Sequence, residues 1–402
     1  MNLYEDLKWR GLLYQQTDDD LAEKLNNEKL VFYLGADPTA DSLHIGHFFA
    51  LSMARWLQDF GHKAIILVGG ATALVGDPTG KSDMRTMLTK EQVEHNKKEV
   101  KDLVKRFVKK DTLIVDNYSW FKGLDYIDFM REIGINFNVN KMLAADCYKK
   151  RLETGGLTFL EMGYMLMQAF DFIHLNEKEN CVLQIGGSDQ WGNIVAGVEL
   201  GRKLGTYNGK KVDNIYGLTC PLLVKADGEK MGKTSKGTLW VSREKTDVYD
   251  FYQAFLNVFD EDVERLLSFF TRLDIREIKD MCNADIINAK KLMAFEITKL
   301  VHGEEEALKV KKTSEEVFNG GNSENMPTYE FKKFEEMNIL DFLFTIGIAP
   351  SKSEARRLIE GNGISINKEK VNDVNMIISD NTFIDDEIIV QKGKKTFLKV
   401  VK

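Results

Sequence analysis

The chain has 402 residues, 43% hydrophobic and 29% charged, with a net charge of −7. That length suits two or three domains, and the acidic balance excludes a uniformly basic nucleic-acid coat. No apolar run reaches the ~18 residues of a membrane helix, and the opening M-N-L-Y-E-D-L-K-W-R has acids and no apolar core. Cys147, Cys181, Cys220 and Cys282 stand far apart with no C-x-x-C pair. The expectation is a chain without leader or membrane span, with reduced thiols and no disulfide frame.

In chain order, Lys29–Leu34 predicts a short apolar strand. It runs into Y-L-G-A-D-P-T-A-D-S-L-H-I-G-H at Tyr33–His47, and a helix is expected from near His44 to Phe60, closed by Gly61. Gly35 lets a ligand approach the backbone. His44 and His47, three apart, share one face of the first helical turn, and Gly46 between them leaves the approach open. A helix N-terminus attracts phosphate, so two imidazole donors there suit a nucleotide; capping and packing histidines, or a metal pair, are the alternatives. Ala64–Val68 is a second bare strand, followed by G-G-A-T-A-L-V-G-D-P-T-G-K at Gly69–Lys81 with Arg85 beyond. The spacing fails the G-x-x-x-x-G-K-[ST] rule. Asp77 and Lys81 are its functional candidates, and a plain Gly-rich connection is the alternative. Strand, helix and strand with glycines after the strands predict parallel β-α-β units, hence an α/β fold with a Rossmann-like parallel sheet.

Glu91–Lys110 predicts a long solvated helix, and Glu161–Leu175 a buried one that is apolar nearly all round. On the latter, Tyr164, Gln168 and Asp171 fall on one stripe. A buried carboxylate there needs donors, from backbone or from a polar small molecule. Cys181–Ile185 is a further strand, and L-Q-I-G-G-S-D-Q-W-G-N-I at Leu183–Ile194 carries Gly187, Asp189 and Gln190 into a helix start. Ligands of open parallel sheets bind beyond the carboxyl ends of strands, so the glycines at 35, 69–70 and 186–187 are expected to converge on one crevice. Leu218–Val224 is another strand. K-A-D-G-E-K-M-G-K-T at Lys225–Thr234 is a glycine-flanked loop whose Lys230 and Lys233 suit phosphate. Val248–Phe318 reads as helical, and Asn319–Thr328 as a linker. The final segment, residues 341–402, holds ten basic and nine acidic residues. It predicts a small α+β unit with a capped helix at Ser351–Ile359 and a strand at Ile364–Asn367.

Together these pieces resemble the class I aminoacyl-tRNA synthetases. H-I-G-H at His44–His47 and K-M-G-K-T at Lys230–Thr234 look like the two class signatures, the second departing from K-M-S-K-S at Gly232 and Thr234. Y-x-G-x-D-P-T from Tyr33, Y-x-x-x-Q-x-x-D at Tyr164–Asp171 and G-G-S-D-Q-W-G-N at Gly186–Asn193 resemble the tyrosyl members of bacterial type. S-K-S-E-A-R-R-L-I followed by G-x-G-I-x-I-N resembles their C-terminal S-four-type RNA-binding domain. Nucleotidylyltransferases share H-x-G-H but lack the stripe and the tail. An RNA-binding paralogue would show decayed signatures, and Tyr33 with Asp171 argues against the tryptophanyl sibling.

The resemblance implies activation of L-tyrosine by ATP, carried with Mg2+ as a substrate complex, then transfer to tRNA(Tyr). It implies no tightly bound cofactor, no protein-held metal, a homodimer, and a cytoplasmic enzyme away from membranes. Tyr33 and Asp171 would meet the substrate phenol, Tyr164, Gln168 and Asp77 its ammonium, and Gln190 its carboxylate. Gly35, Asp37, Thr39, His44, His47, Gly187, Asp189 and Lys233 would line the ATP site. Lys81, Arg85, Lys230, Lys233 and Thr234 would serve the pyrophosphate, and Lys149–Arg151 the tRNA acceptor arm. The implied domains are residues 1–220 (catalytic), 221–318 (signature loop and helical anticodon region), 319–340 (linker) and 341–402 (S-four-type).

Overall fold

The computed structural model describes residues 2–79, 87–212, 214–234, 237–318, 328–393 and 396–402. The chain groups into two compact units, one of residues 1–245 with 258–293, the other of residues 246–257 with 294–402.

The first unit is built on a six-stranded sheet. Its strands are β1 (Gln15–Gln16), β2 (Val31–Ala36), β3 (Lys63–Val68), β4 (Leu113–Asp116), β5 (Leu183–Gly187) and β6 (Tyr216–Cys220). Their order across the sheet is β1-β6-β5-β2-β3-β4. All ladders are parallel except β1 with β6. Strands such as A-I-I-L-V are apolar throughout because both faces of a parallel sheet are covered. β2 and β5 are sequence-distant but adjacent, so the Gly35 and Gly186–Gly187 ends lie side by side.

Four helices frame the sheet: α1 (Ile45–Asp59), α2 (Lys90–Phe107), α3 (Phe159–Glu179) and α4 (Trp191–Leu204). α1 ends as its sequence predicts, with Gly61 at φ +94° just past the last turn. Phe48 of α1 meets Phe107 of α2 at 4.9 Å between ring centroids. On the face bearing Tyr33, Ile65 and Leu67, α3 packs Phe172 and Ile173 into one apolar cluster. Gly197 lets α4 approach α3, since a Cβ there would stand 3.2 Å from the Phe172 ring. Two strands of this sheet were not expected from sequence: β4, and the antiparallel edge strand β1, which is only two residues long.

The second unit holds the helices Val248–Leu256 and Glu304–Phe318, joined by a Gln253 to Ser314 hydrogen bond of 2.8 Å. Its C-terminal part is a five-stranded sheet under two helices, Ile339–Thr345 and Lys352–Glu360. Ser351 caps the second helix through the Glu354 N–H at 3.2 Å. That helix buries Ala355 and Ile359 against Phe342, Ile364 and Val390, while Lys352, Arg356 and Arg357 face solvent. Thr328–Glu330 pairs in parallel with the strand Thr396–Val401, and Met337–Asn338 pairs with Ile377–Ile378, so ordered pairing begins ahead of residue 341.

Candidate active site

The carboxyl ends of β2 and β5 open into a cavity of about 330 Å³. It is lined by Tyr33, Gly35, Asp37, Thr39, His44, His47, Asp77, Tyr164, Gln168, Asp171, Gly187, Asp189, Gln190 and Lys230, among others. These residues come from six separate stretches of sequence. Parallel strand order places them at one sheet edge, at the crevice where such folds bind ligands. Lys81 and Arg85 lie outside the described residues. Lys233 and Thr234 form a two-residue ladder with Gly237–Thr238.

At the deep end, the Asp171 carboxylate is buried and held on both oxygens. Asn117 Nδ2 donates to Oδ2 at 3.1 Å and Trp120 Nε1 to Oδ1 at 2.8 Å. Burial drives its pKa well above the usual carboxylate range, with those two donors pulling the other way. Tyr33 is also buried. Its hydroxyl has no hydrogen-bond partner, and burial with the nearby Asp171 charge raises its pKa well above 10.0. Asn117 further donates to Thr72 Oγ1 at 3.1 Å and accepts from the Ala71 N–H at 2.7 Å. Asn117, Trp120 and Thr72 were missed in the sequence. The available signal was the D-N-Y-S-W run after T-L-I-V, another parallel strand end.

Further out, Tyr164 donates to Asp37 Oδ2 at 2.8 Å and Thr72 to Asp37 Oδ1 at 2.6 Å. Tyr164 therefore joins the stripe of α3 to the D-P-T turn after β2. Gln190 Nε2 donates to Asp77 Oδ2 at 2.8 Å, coupling the ends of β5 and of the second D-P-T turn. Burial also raises the Asp189 pKa, against the pull of Lys230. Among the described lining residues the acids are Asp37, Asp77, Asp171 and Asp189, and Lys230 is the sole lysine. Such a site favours a cation within it and draws positive charge from its rim. Burial pushes the Cys220 thiol at the wall up to about 12, so it stays protonated.

The first signature has its own geometry. His44 is the N-cap of α1, its Nδ1 accepting from the Gly46 N–H at 3.1 Å and the His47 N–H at 3.3 Å. The His47 Nδ1 in turn accepts from the His44 N–H at 3.4 Å, and the rings stack at 3.8 Å and 17°. Two of the helix's N–H groups thus point at imidazole, a correction to the expectation that they stand open for phosphate. Gly46 lines the cavity, and a Cβ there would also sit 3.0 Å from the His44 ring. The second signature is hydrogen-bonded onto the first. Leu239 N–H donates to the Gly232 carbonyl at 2.6 Å, and Ile45 N–H to the Leu239 carbonyl at 3.1 Å. Gly232 has φ +101°, and a Cβ on it would come 2.6 Å from Ile45 Cγ2. In this arrangement only glycine fits.

Gly69 and Gly70 do not line the cavity. They clear space for carboxylates instead, a Cβ on Gly69 falling 2.0 Å from Asp37 Oδ1 and one on Gly70 2.3 Å from Asp116 Oδ1. Arg151 is buried against Glu161 at 3.1 Å, so of the basic cluster at 149–151 it does not present its charge to solvent, whereas Lys149 is exposed. No group of three or more His, Cys, Asp or Glu able to hold a metal exists among the described residues.

Comparison with known proteins agrees with this geometry. The family model of tRNA synthetases class I (W and Y) matches residues 25–319, and that of the tyrosine–tRNA ligase SYY-like C-terminal domain matches residues 318–400. A tyrosine–tRNA ligase of Clostridium botulinum is 48% identical over 100% of this chain and 99% of its own. One of Fusobacterium nucleatum is 46% identical over 100% and 98%. The crystal structure of a C-terminally truncated mitochondrial tyrosyl-tRNA synthetase of Aspergillus nidulans superposes with a TM-score of 0.70 at 29% identity, covering 79% of this chain and 94% of that one. With the signatures packed on each other over a shared crevice, and relatives alike from end to end, the chain belongs to the tyrosine–tRNA ligases of the class I aminoacyl-tRNA synthetases.

Proposed function

We propose that the cavity holds L-tyrosine with its phenol at Tyr33 and Asp171, its ammonium among Tyr164, Gln168 and Asp77, and its carboxylate near Gln190. Mg·ATP lies over Gly35, Asp37, Thr39, His44, His47, Gly187, Asp189 and Lys233; Lys81, Arg85, Lys230 and Lys233 supply charge to the pyrophosphate, and Thr234 a hydroxyl. One observation carries the pose: the buried Tyr33 hydroxyl without a partner, in the same cavity as the buried Asp171. A phenolic hydroxyl has one hydrogen to give and lone pairs to receive, which matches a carboxylate and a free O–H. Phenylalanine would leave the Tyr33 hydroxyl unpaired and give Asp171 no donor beyond Asn117 and Trp120. Tyrosyl enzymes are themselves the reference case for such rejection, at ~10⁵.

The chemistry needs no general base, because the tyrosine carboxylate is ionised at pH 7. Its oxygen attacks the α-phosphorus and the bond to the β-phosphoryl oxygen breaks, giving tyrosyl-adenylate and pyrophosphate. A ribose hydroxyl of the terminal tRNA adenosine then attacks the tyrosyl carbonyl and AMP leaves. Positioning and charge stabilisation are therefore the protein's work in the first step. Asp77 neutralises the ammonium end, and Tyr164 and Gln168 orient it. The stacked His44 and His47 sit where the phosphates cross the α1 terminus.

The same reading assigns the C-terminal part, with Lys352, Arg356 and Arg357 outward, to tRNA(Tyr). It divides the chain into catalytic, helical and S-four-type parts joined through residues 319–340. The working protein is a cytoplasmic homodimer. The homodimer is supported by an apolar groove of about 350 Å³ between residues 121 and 167, rimmed by exposed Tyr126, Val139 and Phe159. No helix among the described residues is long and apolar enough to cross a membrane. ATP–pyrophosphate exchange with each of the twenty amino acids tests the reading. Tyrosine alone should support exchange, and Tyr33→Phe should narrow the tyrosine-to-phenylalanine ratio of kcat/KM. Robust exchange with tryptophan, or an unchanged ratio, overturns the pose.

A further inference from the structure

Lys230 stands on a hairpin that is held from outside the cavity. The Lys225 N–H donates to the Glu229 carbonyl and the Met231 N–H to the Leu223 carbonyl, both at 2.8 Å, so Val224 and Lys230 face each other across the hairpin. In this pattern the facing pair exchanges no hydrogen bond and its Cα atoms come within about 4.5 Å. The Val224 carbonyl therefore points away from Lys230 and needs another donor. The helix Asp260–Phe270 supplies one, since Arg265 Nη2 donates to that carbonyl. Two residues on, the Ala226 N–H donates to Asp262 Oδ2 at 3.1 Å. Asp262 Oδ1 accepts from the same Arg265 Nη2 at 2.6 Å, and Asp262 is 1% exposed.

One acid and one base, three apart on a helix, thus clamp the outgoing leg of the hairpin at Val224 and Ala226. The pair is not arranged for its own strength. An arginine and a carboxylate bind best as a fork that uses two nitrogens. Here Nη2 alone serves both acceptors, and Arg265 Nε is buried without a hydrogen-bond partner. The guanidinium is placed for the loop carbonyl at the cost of the fork. The helix itself is anchored at its other end. Phe269 and Phe270 meet Phe49 of α1 at 4.9 and 5.6 Å, and Arg10 donates to the Ser268 and Thr271 carbonyls at 3.2 and 3.1 Å. The return leg is tied to the start of α1 through Gly232, Leu239 and Ile45. Both legs are therefore referred to the helix that carries the first signature, and a shift of Val224 passes directly to Lys230.

We propose that Asp262 and Arg265 are positioning residues for the activation step, fixing the outgoing leg so that the Lys230 ammonium stands at the cavity rim. This rests on the reading that gives Lys230 the pyrophosphate. Neither residue lines the cavity, so each acts through Lys230. The test is Asp262→Ala in the full-length enzyme, alone and combined with Lys230→Ala, with Asp262→Asn in its place should alanine not fold. Single-turnover adenylate formation and tyrosine affinity are measured for each protein. The expected result is a tenfold or greater fall in rate for Asp262→Ala, threefold or greater for Asp262→Asn, with tyrosine affinity within twofold of wild type. In the Lys230→Ala background the same change should cost less than twofold more, because two residues that act through one contact are not additive. A wild-type rate in the Asp262 variant, a loss carried by tyrosine affinity, or an undiminished loss in the Lys230→Ala background would each overturn the proposal and leave the Lys230 reading standing. If Lys230→Ala alone reacts at the wild-type rate, that reading fails and the proposal with it.

Discussion

Asn117 and Asp171, 54 residues apart, share a hydrogen bond of 3.1 Å from the Asn117 amide to Oδ2 of the carboxylate. Asn117 is fully buried and also receives the Ala71 N–H, so one amide ties the end of β4, the turn after β3 and the stripe of α3. Asn117→Ala leaves a buried N–H and a buried carboxylate oxygen unpaired, each worth ~1–3 kcal/mol. We expect kcat/KM for tyrosine in the exchange assay to fall roughly 5- to 150-fold, the factor that one of these two penalties gives when it falls on the tyrosine-bound state. Asn117→Asp should do worse, because a second carboxylate beside Asp171 disfavours ionisation of both. Wild-type kcat/KM in Asn117→Ala would mean that Asp171 does not need this support.

Lys230 is exposed at the rim of the cavity, with its charge acting on Asp189. A mobile cation of this kind stabilises charge that develops during the reaction more than it binds tyrosine. Lys230→Ala should lower the single-turnover rate of adenylate formation by ~10²-fold, with tyrosine affinity kept within a few-fold. Pre-steady-state fluorescence or quench-flow measures both quantities. A loss confined to tyrosine affinity would remove Lys230 from the pyrophosphate side.

His62 is buried next to the sheet, its Nδ1 accepting from the Leu30 N–H at 3.2 Å and its Nε2 3.1 Å from the Leu25 carbonyl. Burial, then the nearby Lys29 charge, lower its pKa below 6.5, against the Leu25 contact. The unfolded chain thus takes up a proton at a higher pH than the folded one. Above the unfolded value of about 6.5 the group contributes no pH dependence. Below it, stability falls as pH drops, by up to ~1.4 kcal/mol per pH unit, until the folded pKa is reached. Urea midpoints from pH 7.5 to 5.0 should show a steeper decline in wild type than in His62→Gln. Parallel curves for the two proteins would contradict this.

Every described residue lining the cavity precedes residue 232. A chain ending at residue 318 keeps them all, and keeps the Gln253–Ser314 contact between the helices of the second unit. Adenylate formation should persist at close to the full rate, whereas aminoacylation of tRNA(Tyr) should drop by at least ~10³-fold through loss of phosphate and base contacts. Filter-binding assays of charged tRNA against pyrophosphate exchange separate the two. Full charging by the truncated chain would relieve the C-terminal part of its RNA role.

The local elements were legible in the sequence because each carries its own physics. The bare apolar strand at 64–68, the helix closed by Gly61 and the Ser351 cap are set by burial pattern and backbone freedom over a few residues. The same holds for the stripe of Tyr164, Gln168 and Asp171, whose spacing makes them neighbours on any helix. Motif spacing also brought the lining residues into view as candidates, before any distance was known. What the sequence could not hold was the pairing of distant groups. Nothing local to Asn117, Trp120 or Gln184 says that β4 lies beside β3 or β5 beside β2, because strand order is a property of the whole sheet. Short-range reading also missed the neighbours that some glycines make room for. Gly46, Gly69 and Gly232 are each required by a neighbour a Cβ would strike: the His44 ring, the Asp37 carboxylate and the Ile45 methyl. Only the packed chain shows which atom is there. The sequence by itself determined the elements and the residue chemistry; tertiary structure decided which donor faces which carboxylate, and left the Tyr33 hydroxyl and the Gln184 Oε1 unpaired in the buried layer beneath the strand ends.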